Sequence, residues 1–353
     1  MMPRGFVAGL HLRWDGVRQR PHHLLTRIAA EVPVVVVEEP FAEREDRDEV
    51  RHDGNVTIVR PYRRRGWSAP FVDAQAIETA RGLAGRAPIG VWLSTPIMLP
   101  LADALGAQPL VYDVMDELAN FDVVPEGIVE AERDALARAQ LIFAGGRSLF
   151  RSRAAWGAKV RCEPSGVEFE HFTARVAPHP VLAALKGPVF GYVGVIDERI
   201  DVDLIADLAD TFPQGHVVLV GPICKLDPAK LPRRANVWLT GPVPYDTLPS
   251  WLAGFDVALM PFALNRATAF ISPTKTLEYL AARKPVVSTP IADVRAEFSD
   301  AVIIASGSEA FIAAVRNALS PSPVRIARGL EHAQARTWDS IAARMLNDIA
   351  NLT

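Results

Sequence analysis

Ile271-Ser272-Pro273-Thr274-Lys275-Thr276-Leu277-Glu278-Tyr279-Leu280-Ala281-Ala282, followed by Arg283-Lys284-Pro285-Val286-Val287-Ser288-Thr289, is the stretch from which the rest of the chain is read. Ser272 suits an N-cap and Pro273 the first helical position, so the sequence predicts a helix beginning there. Leu277, Leu280 and Ala281 fall on one face at i, i+3 and i+4, which is a buried stripe. At about 100° per residue, Thr274, Lys275 and Glu278 share the flank beside it, near the positive end of the helix. Pro285 ends the helix, and Val286-Val287-Ser288 reads as a short buried strand. A cation, a hydroxyl and a carboxylate beside free backbone N–H groups suit a nucleoside diphosphate. Lys275 and the N–H groups would hold phosphates, and Glu278 would accept from ribose hydroxyls. The same residues also read as a capped helix with a solvent-facing Lys–Glu pair.

Ser272 through Thr289 resembles the donor-site helix of bacterial GT-B glycosyltransferases, family-4-like enzymes of polysaccharide and cell-envelope synthesis. The resemblance implies two Rossmann-like doubly wound α/β domains facing each other across a cleft. It also implies that Glu278 meets the ribose, while Ser272, Thr274, Lys275 and the helix start meet the diphosphate. The family often carries a second Glu eight positions before the first. Here that position is Phe270, and no acid occurs between Ala263 and Leu277. Contacts to the donor sugar are then expected from backbone N–H groups at 269–271, around Phe270, or from the amide of Asn265.

With 353 residues, 49% hydrophobic and 22% charged, the chain has the length of two domains with separate cores. A net charge of -3 offers no electrostatic footprint for nucleic acid. Cys162 and Cys224 are expected to be reduced, in a cytoplasmic setting. The N-terminus lacks a secretory apolar core. The charge-free stretch 87–102 is broken by prolines and too short to span a bilayer, which takes about 20 apolar residues. Any membrane contact is therefore expected to be peripheral.

The first half alternates strands (5–10, 34–37, 55–60, 89–93, 110–112, 141–143, 159–162) with helices from about Pro21, over 73–83 and over 126–139. The charged segment 38–53 reads as a solvated loop. Residues 1–172 are expected to form the first domain, 173–187 a linker and 188–335 the second domain, with 336–353 a last helix returning to the first. In the second half, strands are expected at 189–195, 216–220, 236–239, 257–260, 285–288 and 302–305.

Further site residues follow from loops at strand ends. Arg199 is the nearest match to the basic residue that related enzymes present to the diphosphate, and a guanidinium can grip phosphate bidentately. Gly241-Pro242-Val243-Pro244-Tyr245 resembles the nucleobase loop, with Val243 backbone groups reading the base and Tyr245 flanking it; a packed loop aromatic is the other reading. Asp113-Val114-Met115-Asp116-Glu117 follows a strand. Its acids suit a general base, Asp116 first, Glu117 second and Asp113 orienting, or else an N-cap cluster. Asp15, Arg20 and His22 or His23 belong to the segment that lines the acceptor side in similar enzymes; a capping role for the histidine is the alternative. Arg63, Arg64, Arg65 and Trp67 form a basic-aromatic loop suited to anionic lipid headgroups. Asp201 and Asp203 imitate a metal-binding Asp-x-Asp, but they open a helix, where acids favour the dipole. No residue cluster has zinc spacing, and no metal or cofactor is expected.

The function expected is metal-independent transfer of a sugar from a nucleotide-diphosphate donor, UDP being the working base, to a hydroxyl of a saccharide or lipid-linked acceptor. The rival readings are a sugar-nucleotide 2-epimerase and a non-catalytic sugar-nucleotide-binding protein. Neither half carries a G-x-G-x-x-G run after its first strand, which disfavours a dinucleotide oxidoreductase.

Overall fold

The computed structural model describes residues 2–64, 72–85, 89–106, 108–121 and 126–352. The chain divides into two compact units: residues 1–164 with 338–353, and residues 165–337.

In the first unit the order is β1 (Gly5–Leu10), α1 (Arg20–Ile28), β2 (Val34–Glu38), β3 (Phe41–Glu43), β4 (Arg47–Asp53), β5 (Val56–Arg64), α2 (Ala74–Ala84) and β6 (Ile89–Leu93). It continues with α3 (Pro100–Leu105), β7 (Leu110–Val114), α4 (Ile128–Arg138), β8 (Leu141–Ala144), α5 (Arg147–Ser152) and β9 (Val160–Cys162). Among the described residues these strands form one sheet in the order β3-β5-β2-β1-β6-β7-β8-β9, parallel throughout, with β4 antiparallel on β5. β1, β2, β6, β7 and β8 are buried along their whole length, which is why they read as continuous apolar runs. Asp73, expected to open a helix, accepts from the Ala76 N–H at 2.9 Å and caps α2.

The charged segment 38–53 is not a loop. It supplies the end of β2 and all of β3 and β4, and Glu38 is fully buried. Its charges are tolerated because they pair. Glu38 accepts from Trp14 N–H at 2.6 Å and from the Arg60 guanidinium at 2.5 Å, and Arg60 reaches on to Asp15 at 2.9 Å. The helix Trp338–Ala350 belongs to this unit. Trp338 stacks on His23 at 4.9 Å, Arg27 pairs with Asp339, and Ile341, Met345 and Ile349 are buried in the core. Each such side chain contributes about 2 kcal/mol of apolar burial.

The second unit runs α6 (Phe169–Thr173), α7 (Pro180–Ala183), β10 (Val189–Val193), α8 (Val202–Thr211), β11 (His216–Val220), β12 (Val237–Leu239), α9 (Leu248–Ala253) and β13 (Val257–Met260). It ends α10 (Lys275–Ala281), β14 (Val286–Ser288), α11 (Ala292–Phe298), β15 (Ile303–Ile304), α12 (Ser308–Ala318) and α13 (Pro323–Gln334). Its sheet is parallel, in the order β12-β11-β10-β13-β14-β15. The chain thus leaves β10 on one side toward β11 and returns on the other at β13, the switch of direction beside which open α/β sheets hold ligands. Residues 165–187, expected to end the first domain and form a linker, pack here instead: Val167, Phe172 and Leu182 lie in this unit's core. Asp201 caps α8 by accepting from Leu204 N–H at 2.9 Å, the structural role expected of it.

Among the described residues no helix is long and apolar enough to cross a membrane, and no group of His, Cys, Asp and Glu is placed to hold a metal ion. Cys162 and Cys224 form no disulfide and belong to different units.

Candidate functional site

The carboxyl ends of β10, β11 and β12 each run into a glycine with positive φ: Gly194 at +144°, Gly221 at +144° and Gly241 at +72°. At Gly221 a side chain is excluded on space as well as on conformation, and at Gly194 it would displace the end of the Lys275 side chain. A Cβ on Gly221 would lie 2.1 Å from the Gly194 carbonyl oxygen, and one on Gly194 would lie 2.8 Å from Lys275 Cε. The turns are tied to one another by Gly194 N–H to Val220 O at 2.9 Å and Gly221 N–H to Gly241 O at 3.0 Å. The result is a rim of backbone that a ligand can approach closely.

Helix α10 is clamped against this rim. The Tyr279 hydroxyl accepts from Val193 N–H at 2.7 Å, and Thr276 Oγ1 donates to Met260 Sδ at 3.3 Å; both residues are fully buried. These two contacts hold the helix to the ends of β10 and β13. They fix its outer flank, where Lys275 and Glu278 are half-buried. The Lys275 ammonium lies 5.4 Å from the Tyr192 ring centre and 5.2 Å from that of Phe262, an aromatic setting that favours a cation. Glu278 has its carboxyl pushed up to about 7, first by burial, against the pull of Lys275 and with the help of Glu168. Glu168 comes from the segment entering α6, which packs on α10.

The helix begins later than the Ser272 cap implies. Thr276 N–H bonds to Pro273 O at 3.1 Å and Leu277 N–H to Thr274 O at 3.1 Å, so a tight i to i+3 turn precedes Lys275. Thr274 takes the cap position in helical conformation with no side-chain cap, and Ser272 and Thr274 stay half-buried at the helix start.

Arg199 departs from its expected role. Its Nε and Nη2 edge is spent on Asp197, at 2.9 and 2.6 Å, within a turn closed by Ile200 N–H to Asp197 O at 3.0 Å. That edge is engaged by a partner two residues away in the same turn. Val243 is half-buried against the core. Tyr245 stacks on His171 at 4.8 Å and meets Phe172 edge-on at 5.8 Å, the packed-aromatic reading. Asn265 caps the following turn, accepting from Thr268 N–H at 3.1 Å, and its amide donates to Glu198 O at 2.9 Å. Both ends of that side chain therefore brace loops. Phe270 is half-buried.

In the first unit, Arg20 is not presented to a ligand. It is 3% exposed and donates to both Asp113 oxygens (2.9 and 3.0 Å) and to Glu163 O at 2.7 Å. A buried guanidinium requires such a partner. Burial raises the Asp113 carboxyl, and Arg20 opposes the rise. His22 caps α1: its Nδ1 accepts from Gln19 N–H at 3.1 Å, leaving Nε2, 3.1 Å from Arg13 O, to donate. Burial pushes its pKa down, so the ring is neutral near pH 7. Asp15 accepts from Arg60 and Arg51, and the Arg60 bonds hold its carboxyl below the usual range. Glu117 is clasped by Arg153 at 2.7 and 2.9 Å, which engages both of its oxygens. Asp116 is half-buried, two residues beyond β7. Arg63, expected on a lipid-facing loop, is 3% exposed and paired with Asp48 and Asp73. Arg64 is exposed beside Asp46, and Arg65 and Trp67 lie outside the described residues.

Sequence reasoning missed Tyr279, Thr276 and Glu168. The glycine closing each of three strands was the available signal for the rim.

Residues 187–321 match the family described as Glycosyl transferases group 1. TuaH of Bacillus subtilis (strain 168), named for teichuronic acid biosynthesis as a glycosyltransferase, is 33% identical over 136 residues, 37% of this chain and 34% of that protein. The match therefore spans about a third of that relative. Sucrose-phosphate synthase from Thermosynechococcus elongatus superposes with a TM-score of 0.76 at 15% identity, covering 99% of both chains. A trehalose-6-phosphate protein of E. coli bound with UDP-2-fluoro glucose gives 0.74 at 13%, again over 99% of both. Anabaena HepE in complex with UDP and glucose gives 0.70 at 15%, over 98% of this chain and 99% of that one. Residues 187–321, within the second unit, thus match the Glycosyl transferases group 1 family, and the chain as a whole has the GT-B fold.

Proposed function

We propose that the protein transfers a sugar from a nucleoside-diphosphate donor, a UDP sugar in the first instance, to a hydroxyl of a saccharide or lipid-linked acceptor. The observation that carries the reading is the placement of Lys275 and Glu278 on a helix flank clamped beside three glycine-ended strands. In this reading the diphosphate lies against the start of α10 with Lys275, and the ribose hydroxyls donate to Glu278. Charge on the leaving diphosphate is then met by the Lys275 ammonium and backbone N–H groups, without a bound metal. UDP ligands in two of the solved relatives lend support to the choice of base.

On the acceptor side, we assign proton removal to Asp116 rather than Glu117, since Arg153 engages both Glu117 oxygens. Membrane docking through Arg63 is not part of this reading, because Arg63 is internally paired.

The test is a calorimetric and turnover screen with UDP, GDP, ADP and dTDP sugars, with and without EDTA. We expect UDP-sugar binding that survives EDTA and falls about tenfold or more in Lys275→Ala, the loss of one charged hydrogen bond. No binding of any nucleotide sugar, or full affinity in Lys275→Ala, sinks the assignment. An epimerised nucleotide sugar formed without acceptor would instead establish the epimerase.

A further inference from the structure

Glu198 is anomalous: both of its carboxylate oxygens are shielded from water and neither has a hydrogen-bond partner. Among the described residues no other carboxylate has both oxygens in that state. A buried acid left without donors is costly, and such a group in a native fold calls for an explanation. We propose that the Glu198 carboxylate receives hydroxyl groups of the donor sugar, and thereby selects a neutral glycosyl residue over a uronic acid; this rests on the nucleotide-sugar reading above.

The neighbouring acids on the loop are already committed. Asp197 binds Arg199 through both oxygens, and Asp201 caps α8. Glu198 is the one left over. The loop leaves Gly194, above which the Lys275 ammonium lies, and it is stitched to the segment that leads into α10. Glu198 O accepts from Asn265 Nδ2 at 2.9 Å, Ala263 N–H donates to Arg199 O at 2.8 Å, and Asp201 N–H donates to Pro261 O at 2.9 Å. The segment 263–277 contributes no acid of its own. Glu198 therefore carries, on the adjoining loop, an acceptor that this segment lacks, and a turn of its side chain would bring the shielded oxygens to a ligand.

The chemistry fits a sugar ring. Hydroxyls donate, an ionised carboxylate only accepts, and its two oxygens can take a vicinal pair. A uronate would bring a second anion into the same poorly hydrated place, where like charges repel strongly.

The experiment is calorimetry of UDP, UDP-glucose, UDP-galactose, UDP-N-acetylglucosamine and UDP-glucuronic acid against the wild type, Glu198→Gln and Glu198→Met, with melting of each unliganded protein. We expect the wild type to prefer a neutral UDP sugar to UDP-glucuronic acid. Both variants should keep their UDP affinity within about twofold and lose about 10- to 100-fold toward the best neutral sugar, the range for a hydrogen bond to a charged group. Both should melt no lower than the wild type, since a buried carboxyl group without a donor has been removed. Unchanged affinity for the neutral sugar, equal loss of UDP, a preference for the uronate, or a lower melting point overturns the proposal. A wild type that binds UDP but shows no added affinity for any sugar also overturns it while sparing the nucleotide site. A wild type that binds neither UDP nor a UDP sugar removes the underlying reading instead.

Discussion

The carboxyl of Glu278, raised to about 7 by burial and by Glu168, makes nucleotide-sugar affinity depend on pH in a calculable way. Ribose hydroxyls donate best to the ionised form, so binding should draw the group back toward its ordinary value of 4.5 and expel a proton. With those two values, affinity is full near pH 8 and falls as the pH drops through 7, by roughly 70-fold at pH 5. At pH 7 about half a proton should leave per donor bound. The ligand should be an intact UDP sugar, because a terminal phosphate titrates near 6 and would confuse the profile. Calorimetry in buffers of different ionisation enthalpy counts the protons directly. Glu278→Gln should flatten the profile and weaken binding at pH 8 by about tenfold. Glu168→Gln, which removes a like charge, should shift the midpoint to lower pH.

The same shift has a consequence for the unliganded fold. A carboxyl whose folded value is raised adds no penalty below its unfolded value, and it costs stability progressively as the pH rises from about 4.5 to about 7. Glu278→Gln should therefore match the wild type near pH 4.5 and exceed it by about 2 kcal/mol at pH 8, once partial solvation of the half-buried group is allowed for. A pH-independent affinity, equal apparent enthalpies in all buffers, or a Glu278→Gln protein less stable at pH 8 would refute the placement of this carboxylate.

Three other outcomes are expected. Tyr279→Phe removes the acceptor of Val193 N–H and should cost about 1–3 kcal/mol in denaturant unfolding, with weaker donor binding because α10 loses a clamp. Arg20→Met leaves Asp113 buried and unpaired and should cost about 3–5 kcal/mol, whereas Arg20→Met with Asp113→Leu should recover most of it; a tolerated single variant would instead restore Arg20 as a ligand contact. Asp116→Asn should cut turnover by about 100-fold or more with donor affinity unchanged, and wild-type rates would clear Asp116 of base catalysis.

The legibility of this chain in its sequence divides along a physical line. Buried parallel strands announce themselves because both faces are apolar. Gly5–Leu10 and Ile89–Leu93 were accordingly read to the residue, and α10 was placed within three residues. Charged residues were misread wherever they found partners that sequence order cannot reveal. Glu38 meets Arg60, Arg20 meets Asp113, and Arg153 meets Glu117, across 22, 93 and 36 positions respectively. Each residue looks like surface or site chemistry when read locally, and each is internal bracing once the fold supplies its counter-ion. The converse holds for Glu198, in the loop that leads into α8. It stands out only because its neighbours Asp197 and Asp201 are satisfied and its own oxygens are not. A charge that the fold has buried and then failed to pair is a stronger pointer to a missing ligand than a charge left in water. Such a pointer appears only after every other ion pair has been assigned.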